Sequence, residues 1–531
     1  MYAAETICLG FFFILTYTPT TSQLATTYRV ASLFEEKYRN QELAFKHTIE
    51  KINLRGDIIK NAMLIYGTQN VKEQDSFEAS KKVCREIKEG VAAIFGPVSR
   101  VSASHVQSIC NSLNIPHVQA HWDPRENFNN LFSINLYPNY LKLSSAYLDI
   151  VRYWRWRSFT ILYEDNDGLI RLQELLKASQ GTPDSSPMKI TIRKIDASVD
   201  NYVKMWKEMK ARLEYKVIID CHHTTAERLL LEAQKVCMVS DYNHFHFTTL
   251  DLGLVELEQF SHAGANITAF RLVDPTKPNV MHVTDDWVLE ELNKRESPLQ
   301  GQREIPTDVA LMYDAVHLFA RALHELLKAK DVTTQALSCS KDKKWTDGIS
   351  LLNYMKTIDF EGLTGRVHYD NGKRTEFSLD VVELSGTGLL KVGTWDPRNK
   401  VNITTSNWKL PGEKPLANKT LRVVTVEDEP YTILKTKDRD PNHPYEGYCV
   451  DLLDMLSKRL GFNYTIYKSP KNEYGNCDKI PKNCKGPGKK DCEYEYKNCN
   501  GLVGELVDGK ADIAVAGMTI TYDREQVVDF T

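Results

Sequence analysis

Four groups of side chains in this sequence have types and spacings that could support chemistry. His222-His223 follows an apolar run ending in Asp220-Cys221, and His244 and His246 alternate so that they share one face of a strand. A zinc site needs three or four ligands, and the sequence places no further ligand beside either pair. Both pairs therefore read as structural histidines at strand ends. Arg152 to Arg157 (RYWRWR) mixes cations with rings, as a single-strand nucleic-acid platform does. The same residues suit a helix end that packs its rings inward and lets its cations reach water, and they are read that way. Cys477, Cys484, Cys492 and Cys499 stand 7, 8 and 7 residues apart, a spacing open to a zinc site or to two disulfides in three possible pairings. Arg524, in MTITYDREQVVDF, reads by itself as half of a surface ion pair. No Gly-rich phosphate loop, H-E-x-x-H or G-x-S-x-G accompanies these groups, and no nucleophile and base pair up, so the chain is not read as an enzyme.

The elements that must hold such residues follow from pattern. From Tyr28 to about Asp380, apolar β-rich runs alternate with helical ones: Ala62 to Tyr66, Phe77 to Ile87, Val91 to Phe95, Val101 to Leu113, His117 to Gln119. The alternation returns with Phe159 to Tyr163, Leu169 to Ala178, Val217 to Asp220, Ala226 to Val236 and His244 to Thr248. Strand, helix, strand repeated in this way predicts α/β lobes with parallel sheets covered on both faces. Such a length exceeds one unit, so two doubly wound lobes are expected. Trp395 to Ala417, rich in Pro, Asn, Thr and Gly, reads as a linker. A second alternation starts at Leu421 to Val426 and continues through a Tyr448 to Leu460 helix closed by Gly461, a strand at Asn463 to Tyr467, a helix at Leu502 to Val507 and a strand at Asp512 to Ala516.

Composition bounds the class. The 531 residues are 42% apolar and 26% charged, which suits two or three folded domains. Seventy acidic side chains against 67 basic ones give no nucleic-acid footprint. Ile7 to Leu15 is an apolar run too short to span a bilayer and is followed by a Thr/Ser/Pro-rich stretch, so residues 1–24 read as a signal peptide. Export agrees with sequons at Asn266, Asn402, Asn418 and Asn463, and it favours disulfides over zinc in the 477–499 cluster. Cys110, Cys221, Cys237 and Cys449 sit in apolar patterns and read as buried thiols. No transmembrane helix, metal or cofactor is expected.

Seven stretches carry a family resemblance: DSFEASKKVCREIKEGVAAIFGP (75–97), VQSICNSLNIPHVQ (106–119), GLIRLQELLKA (168–178), FTTLDL (247–252), DVALMYDAVHLF (308–319), EGLTGRVHYDNGKRTEFSLDVVEL (361–384) and GTWDP (393–397). In order, they resemble the amino-terminal domain of kainate-type ionotropic glutamate receptor subunits. The resemblance implies a two-lobed, periplasmic-binding-protein-like clamshell that assembles subunits, with one disulfide at the positions of Cys84 and Cys339. EGYCVDLL (446–453) suits AMPA and kainate subunits alike, whereas the amino-terminal stretches favour kainate. The expected division is 1–24 signal peptide, 25–397 bilobed domain, 398–419 linker and 420–531 first segment of an agonist-binding clamshell.

The last segment resembles the first half of the domain that closes on L-glutamate. A free amino acid needs a cation for its α-carboxylate, acceptors for its ammonium and a wall against water; arginine suits the first through two parallel charge-assisted bonds. By resemblance Arg524 takes the carboxylate, Thr519 adds a backbone N–H and hydroxyl, Tyr474 lids the site and Asp428 stands at the cleft edge. Three departures stand out. Gly517 replaces a proline whose carbonyl accepts from the ligand ammonium, losing a φ restraint. Residues 476–500 are an insertion holding Cys477, Cys484, Cys492 and Cys499. The sequence also stops short of the pore helices and second agonist lobe, so this stretch by itself is expected neither to conduct nor to bind glutamate well. The implied function is a glutamate-gated cation channel subunit at the extracellular face of a postsynaptic membrane. Its implied partners are L-glutamate and other receptor subunits in a dimer-of-dimers tetramer, with membrane contact only through segments outside this sequence. The alternative is a secreted, non-conducting module that pairs with full-length subunits.

Overall fold

β-Branched and aromatic runs form the centres of the sheets, because such side chains pack well on a pleated, buried surface. The computed structural model describes residues 26–60, 62–124, 131–180, 187–196, 201–293, 295–341, 343–370, 372–405, 416, 419–435, 444–485 and 491–530, with the side chains of 482–494 outside the description. The expected signal peptide, Asn418 and most of the expected linker lie outside the described residues, as do the side chains of Cys484 and Cys492. The chain divides into two compact units, 1–408 and 409–531.

In the first unit Thr26–Glu35 is buried from Tyr28 to Glu35 apart from Arg29, and it pairs in parallel with Ala62–Val71 and Ala93–Phe95. His117–Gln119 and Ser133–Asn135 complete a five-stranded parallel sheet. Arg39–Arg55, Ser76–Lys88 and Arg100–Leu113 are the helices between its strands. Ser76–Lys88 starts where the Asp75 side chain accepts from the Glu78 N–H, satisfying a donor that the helix leaves open.

The second sheet has eight strands. Lys189–Lys194, Ser158–Tyr163, Lys216–Asp220, His244–Phe247 and Asn266–Arg271 lie parallel, and Leu379–Ser385, Gly388–Asp396 and Lys400–Ile403 extend it antiparallel. Between the two halves of this sheet the chain supplies helices that pack on the first sheet. The Phe319 ring of Thr307–Ala329 meets Phe95 at 6.0 Å, and Gln41 donates to Asp308 at 2.9 Å. Two parallel-rich sheets joined by repeated chain crossings make this a two-lobed, periplasmic-binding-protein-like unit.

Several details refine the sequence reading. Lys400–Ile403 pairs with Gly388–Asp396, so the first unit runs past residue 397, where a linker was expected to begin. The helix expected over Leu169 to Ala178 is two short helices, Asn166–Arg171 and Gln173–Ala178. They break at Leu172, which turns wholly into the core while Arg171 is drawn to two carboxylates. Cys110, Cys221 and Cys449 are buried, but Cys237 is exposed: it occupies a left-handed turn (φ 56°) just beyond the His223–Lys235 helix, clear of that helix's apolar face. Trp154 and Trp156 are buried at a helix end, and Trp154 lies 4.2 Å from His244 and 5.2 Å from His246, ring to ring. The two histidines thus belong to an aromatic core, where burial pulls His246 down to about 3.

In the second unit Asn463–Lys468, Thr420–Thr425 and Ile513–Val515 form a parallel three-stranded sheet, in that order. Parallel neighbours need crossovers, and helices Tyr448–Leu460 and Gly501–Val507 supply them. The first of these ends at Gly461, whose φ of 75° suits glycine. The cysteine-rich insertion is a hairpin, Asp478–Lys485 against Asp491–Lys497. Among the described residues no helix is long and apolar enough to cross a membrane.

Candidate functional site

The site of the second unit is built where strand ends meet. The fully buried Thr425 closes the central strand; its hydroxyl lies 2.7 Å from the Val515 carbonyl and 3.1 Å from Thr432 Oγ1. That contact fixes two loops together: the turn at 428–432, where Asp428 and Thr432 pair backbone to backbone, and the segment leaving Val515. A third loop is tied in by Asn472, whose Oδ1 accepts from the Glu427 N–H at 2.8 Å.

Tyr474 and Asp428 meet on these loops through a short hydrogen bond from the phenol to the carboxylate. Bonding to Asp428, then burial, pushes the phenol up to about 12. Gly517 lies against Tyr431: a Cβ at position 517 would fall 2.6 Å from the Tyr431 ring. An aromatic neighbour thus occupies the space that a side chain at position 517 would need. Among the described residues, the Gly517 carbonyl and the Thr519 N–H and hydroxyl make no hydrogen bond within the chain.

Arg524 sits on a one-turn helix, Tyr522–Glu525, capped by the Thr521 side chain. Its Nη1 donates to the Thr519 carbonyl at 2.8 Å, and its Nε lies 3.0 Å from the Gly475 carbonyl and 3.1 Å from Asn476 Oδ1. All of these partners are uncharged. The surface ion pair that the arginine suggests in isolation is not formed among the described residues, and Nη2 makes no bond there. The guanidinium is left with one free edge, and the residue is partly exposed. Gly475, next to Tyr474, is required for this geometry: its φ is 86°, and a Cβ there would fall 1.8 Å from the Asn500 carbonyl oxygen.

The structure thus brings Asp428 to Tyr474, Tyr474 by chain continuity to Gly475, Gly475 to Arg524, and Arg524 to Thr519. Gly517 joins through Tyr431. The sequence reading lacks Tyr431, Gly475 and Asn476. Gly475 carried a signal, since N-E-Y-G places a glycine where a tight turn must follow an aromatic; Tyr431 carried none beyond being an aromatic after Glu429-Pro430.

The cysteines and sequons are placed as follows. Cys84 is bonded to Cys339, and Cys477 to Cys499. Asn402 and Asn463 are exposed, each on the outermost strand of its sheet. Asn266 lies in an interior strand with both amide atoms enclosed and, among the described residues, unbonded.

A second polar cluster, in the first unit, was not legible. Arg171 holds Asp220 with two nearly parallel bonds of 3.0 and 2.9 Å, also bonds Asp165, and lies 5.0 Å over the Trp122 ring. Burial works against its charge, but Asp220 and Asp165 more than offset that and hold it firmly protonated. Asp220 is completed by the Thr248 hydroxyl at 2.5 Å. Every strong group here is already answered by another, so the cluster reads as a brace.

Comparison with known proteins bears on both units. Residues 40–387 match the family described as "Receptor family ligand binding region", and residues 419–531 match "Ligated ion channel L-glutamate- and glycine-binding site". The mouse protein "Glutamate receptor ionotropic, kainate 1" is 39% identical over 516 residues, covering 95% of this chain and 59% of the relative. The human protein of the same description is 38% identical over 531 residues, covering 95% of this chain and 55% of the relative. The chain therefore spans between half and two thirds of the length of these curated relatives.

Proposed function

The chain belongs to the kainate-type ionotropic glutamate receptors, and from that membership we propose that it is extracellular region of a glutamate-gated cation-channel subunit. In this reading the first unit pairs the subunit with others, within a dimer-of-dimers tetramer, and the second supplies part of the L-glutamate site. The protein acts at the extracellular face of a postsynaptic membrane.

The observation that carries the reading is the set of unused groups along residues 517–524. The free edge of Arg524 offers a planar donor fork for the α-carboxylate, which an uncharged set of partners leaves unneutralised. The Thr519 N–H and hydroxyl add donors beside it, and the Gly517 carbonyl is an acceptor for the ammonium. Tyr474, held by Asp428, closes one side against water. Closure of a clamshell on such a ligand is a hinge motion that can pull on whatever the lobes are attached to.

The test is competition for bound radiolabelled glutamate on the protein made from its native transcript. γ-Aminobutyrate, which differs from glutamate only in lacking the α-carboxylate, should compete at least about 100-fold more weakly, the loss expected for two charged hydrogen bonds. Equal competition by the two compounds would remove Arg524 from the role given to it.

A further inference from the structure

The insertion at 476–500 is the largest part of the second unit that the site as described leaves without a task, yet its contacts converge on one place. Its neck is closed by the Cys477–Cys499 disulfide and by a reciprocal pair, the Asn476 N–H to Asn500 Oδ1 at 2.8 Å and the Asn500 N–H to the Asn476 carbonyl at 3.1 Å. From this neck the Gly475 carbonyl and Asn476 Oδ1 receive Arg524 Nε. Further out, Lys479 and Tyr496 stand directly opposite each other across the hairpin. Both donate to the same oxygen of Asp523, each at 2.9 Å. The Lys479 ammonium also lies 5.8 Å from the Tyr522 ring centre.

Asp523 and Arg524 are neighbours on a four-residue helix with no buried residue. One turn of helix does not hold itself together in water, because nucleation costs more than a single hydrogen bond returns. Something outside the helix must fix it. We propose that the hairpin is a strap for this turn: Lys479 and Tyr496 are positioning residues that hold Asp523, while the disulfide-closed neck holds the adjacent guanidinium. Exposed pairs of this kind are individually weak and screened by salt. They act together because the covalent neck has already removed most of the freedom lost on bringing them to the helix. The strap rests on the reading of Arg524 as the ligand's carboxylate partner, and it makes the insertion a determinant of affinity without touching the ligand.

Two readouts, the first on the 531-residue chain and the second on the protein made from its native transcript, separate the strap from that reading. The first is hydrogen exchange at the Glu525, Val527 and Val528 amides, which bond to Thr521 and Arg524 carbonyls. Lys479→Met and Tyr496→Phe should each speed exchange there severalfold, with the Thr420–Thr425 strand unchanged, and added salt should do the same in the unsubstituted protein. Exchanging the charges, Lys479→Asp with Asp523→Lys, should restore most of the protection, which a merely structural lysine would not permit. The second readout is glutamate affinity, which should weaken about 5- to 10-fold in Lys479→Met and recover in the charge-exchanged protein. Unchanged exchange in both single variants, or no recovery on charge exchange, overturns the strap. Exchange that responds as stated, with no glutamate bound by any form, upholds the strap and overturns the reading of the ligand.

Discussion

Arg524 can offer a free guanidinium edge because its immediate partners are carbonyl and amide oxygens, which orient a cation without cancelling it. Two glycines of the site make demands that differ. At Gly475 an alanine must adopt a left-handed backbone and overlap the Asn500 carbonyl, so Gly475→Ala should cost more than about 2 kcal/mol in the stability of the second unit, measured by denaturant unfolding. At Gly517 the obstacle is the Tyr431 ring, which is 39% exposed and can give way. Gly517→Ala should cost only about 1 kcal/mol, and Tyr431→Ala in the same chain should relieve it. Tyr474 makes a prediction about pH. Its folded value of about 12 lies above the ordinary value of 10.0, so the stability it lends is complete below pH 10 and is lost as pH rises from 10 towards 12. The ultraviolet difference titration between Tyr474 and Tyr474→Phe proteins should show one phenol ionising near 12; ionisation near 10 would mean that the bond to Asp428 is absent in solution.

Elements were more legible than the contacts that join them. Tyr448–Leu460 ends at Gly461 as its periodicity and terminal glycine require, and the strand over Val217 to Asp220 follows from an apolar run. The break at Leu172 was not legible, since it answers to Asp165 and Asp220, one of them nearly fifty residues away in sequence. The strand Lys400–Ile403 was hidden for a similar reason: an edge strand with one partner can be polar and short, and it reads as linker. Edge position also sorts the sequons. Asn402 and Asn463 are exposed on outermost strands, whereas the Asn266 amide is enclosed. Glycopeptide mass spectrometry of the protein expressed in animal cells should therefore find sugar at Asn402 and Asn463 and none at Asn266. A glycan at Asn266 in folded protein would contradict the interior placement of that strand.

At the scale of the whole molecule, the division into two units makes their stabilities separable. The Cys84–Cys339 bond spans 255 residues of the first unit, and a loop of that length corresponds to about 5 kcal/mol on the chain-entropy model. Cys84→Ser with Cys339→Ser should lower one calorimetric transition and leave the other in place; a shift of both together would show that the units unfold as one. The alternation of strand and helix made the two-lobed architecture readable, because each βα repeat announces itself locally. The candidate site was readable only in part. Arg524 and Thr519 lie within one motif, but Tyr431, Gly475 and Asn476 enter through loop packing that no spacing in the sequence encodes.

The most direct test is equilibrium binding of radiolabelled glutamate to the protein from its native transcript, with arginine and then lysine at position 524. Lysine keeps the charge and loses the planar fork, so Arg524→Lys should weaken glutamate at least about 10-fold while γ-aminobutyrate, which has no α-carboxylate to lose, changes little. Equal losses for both compounds, or no loss for glutamate, would contradict the assignment of the α-carboxylate to Arg524.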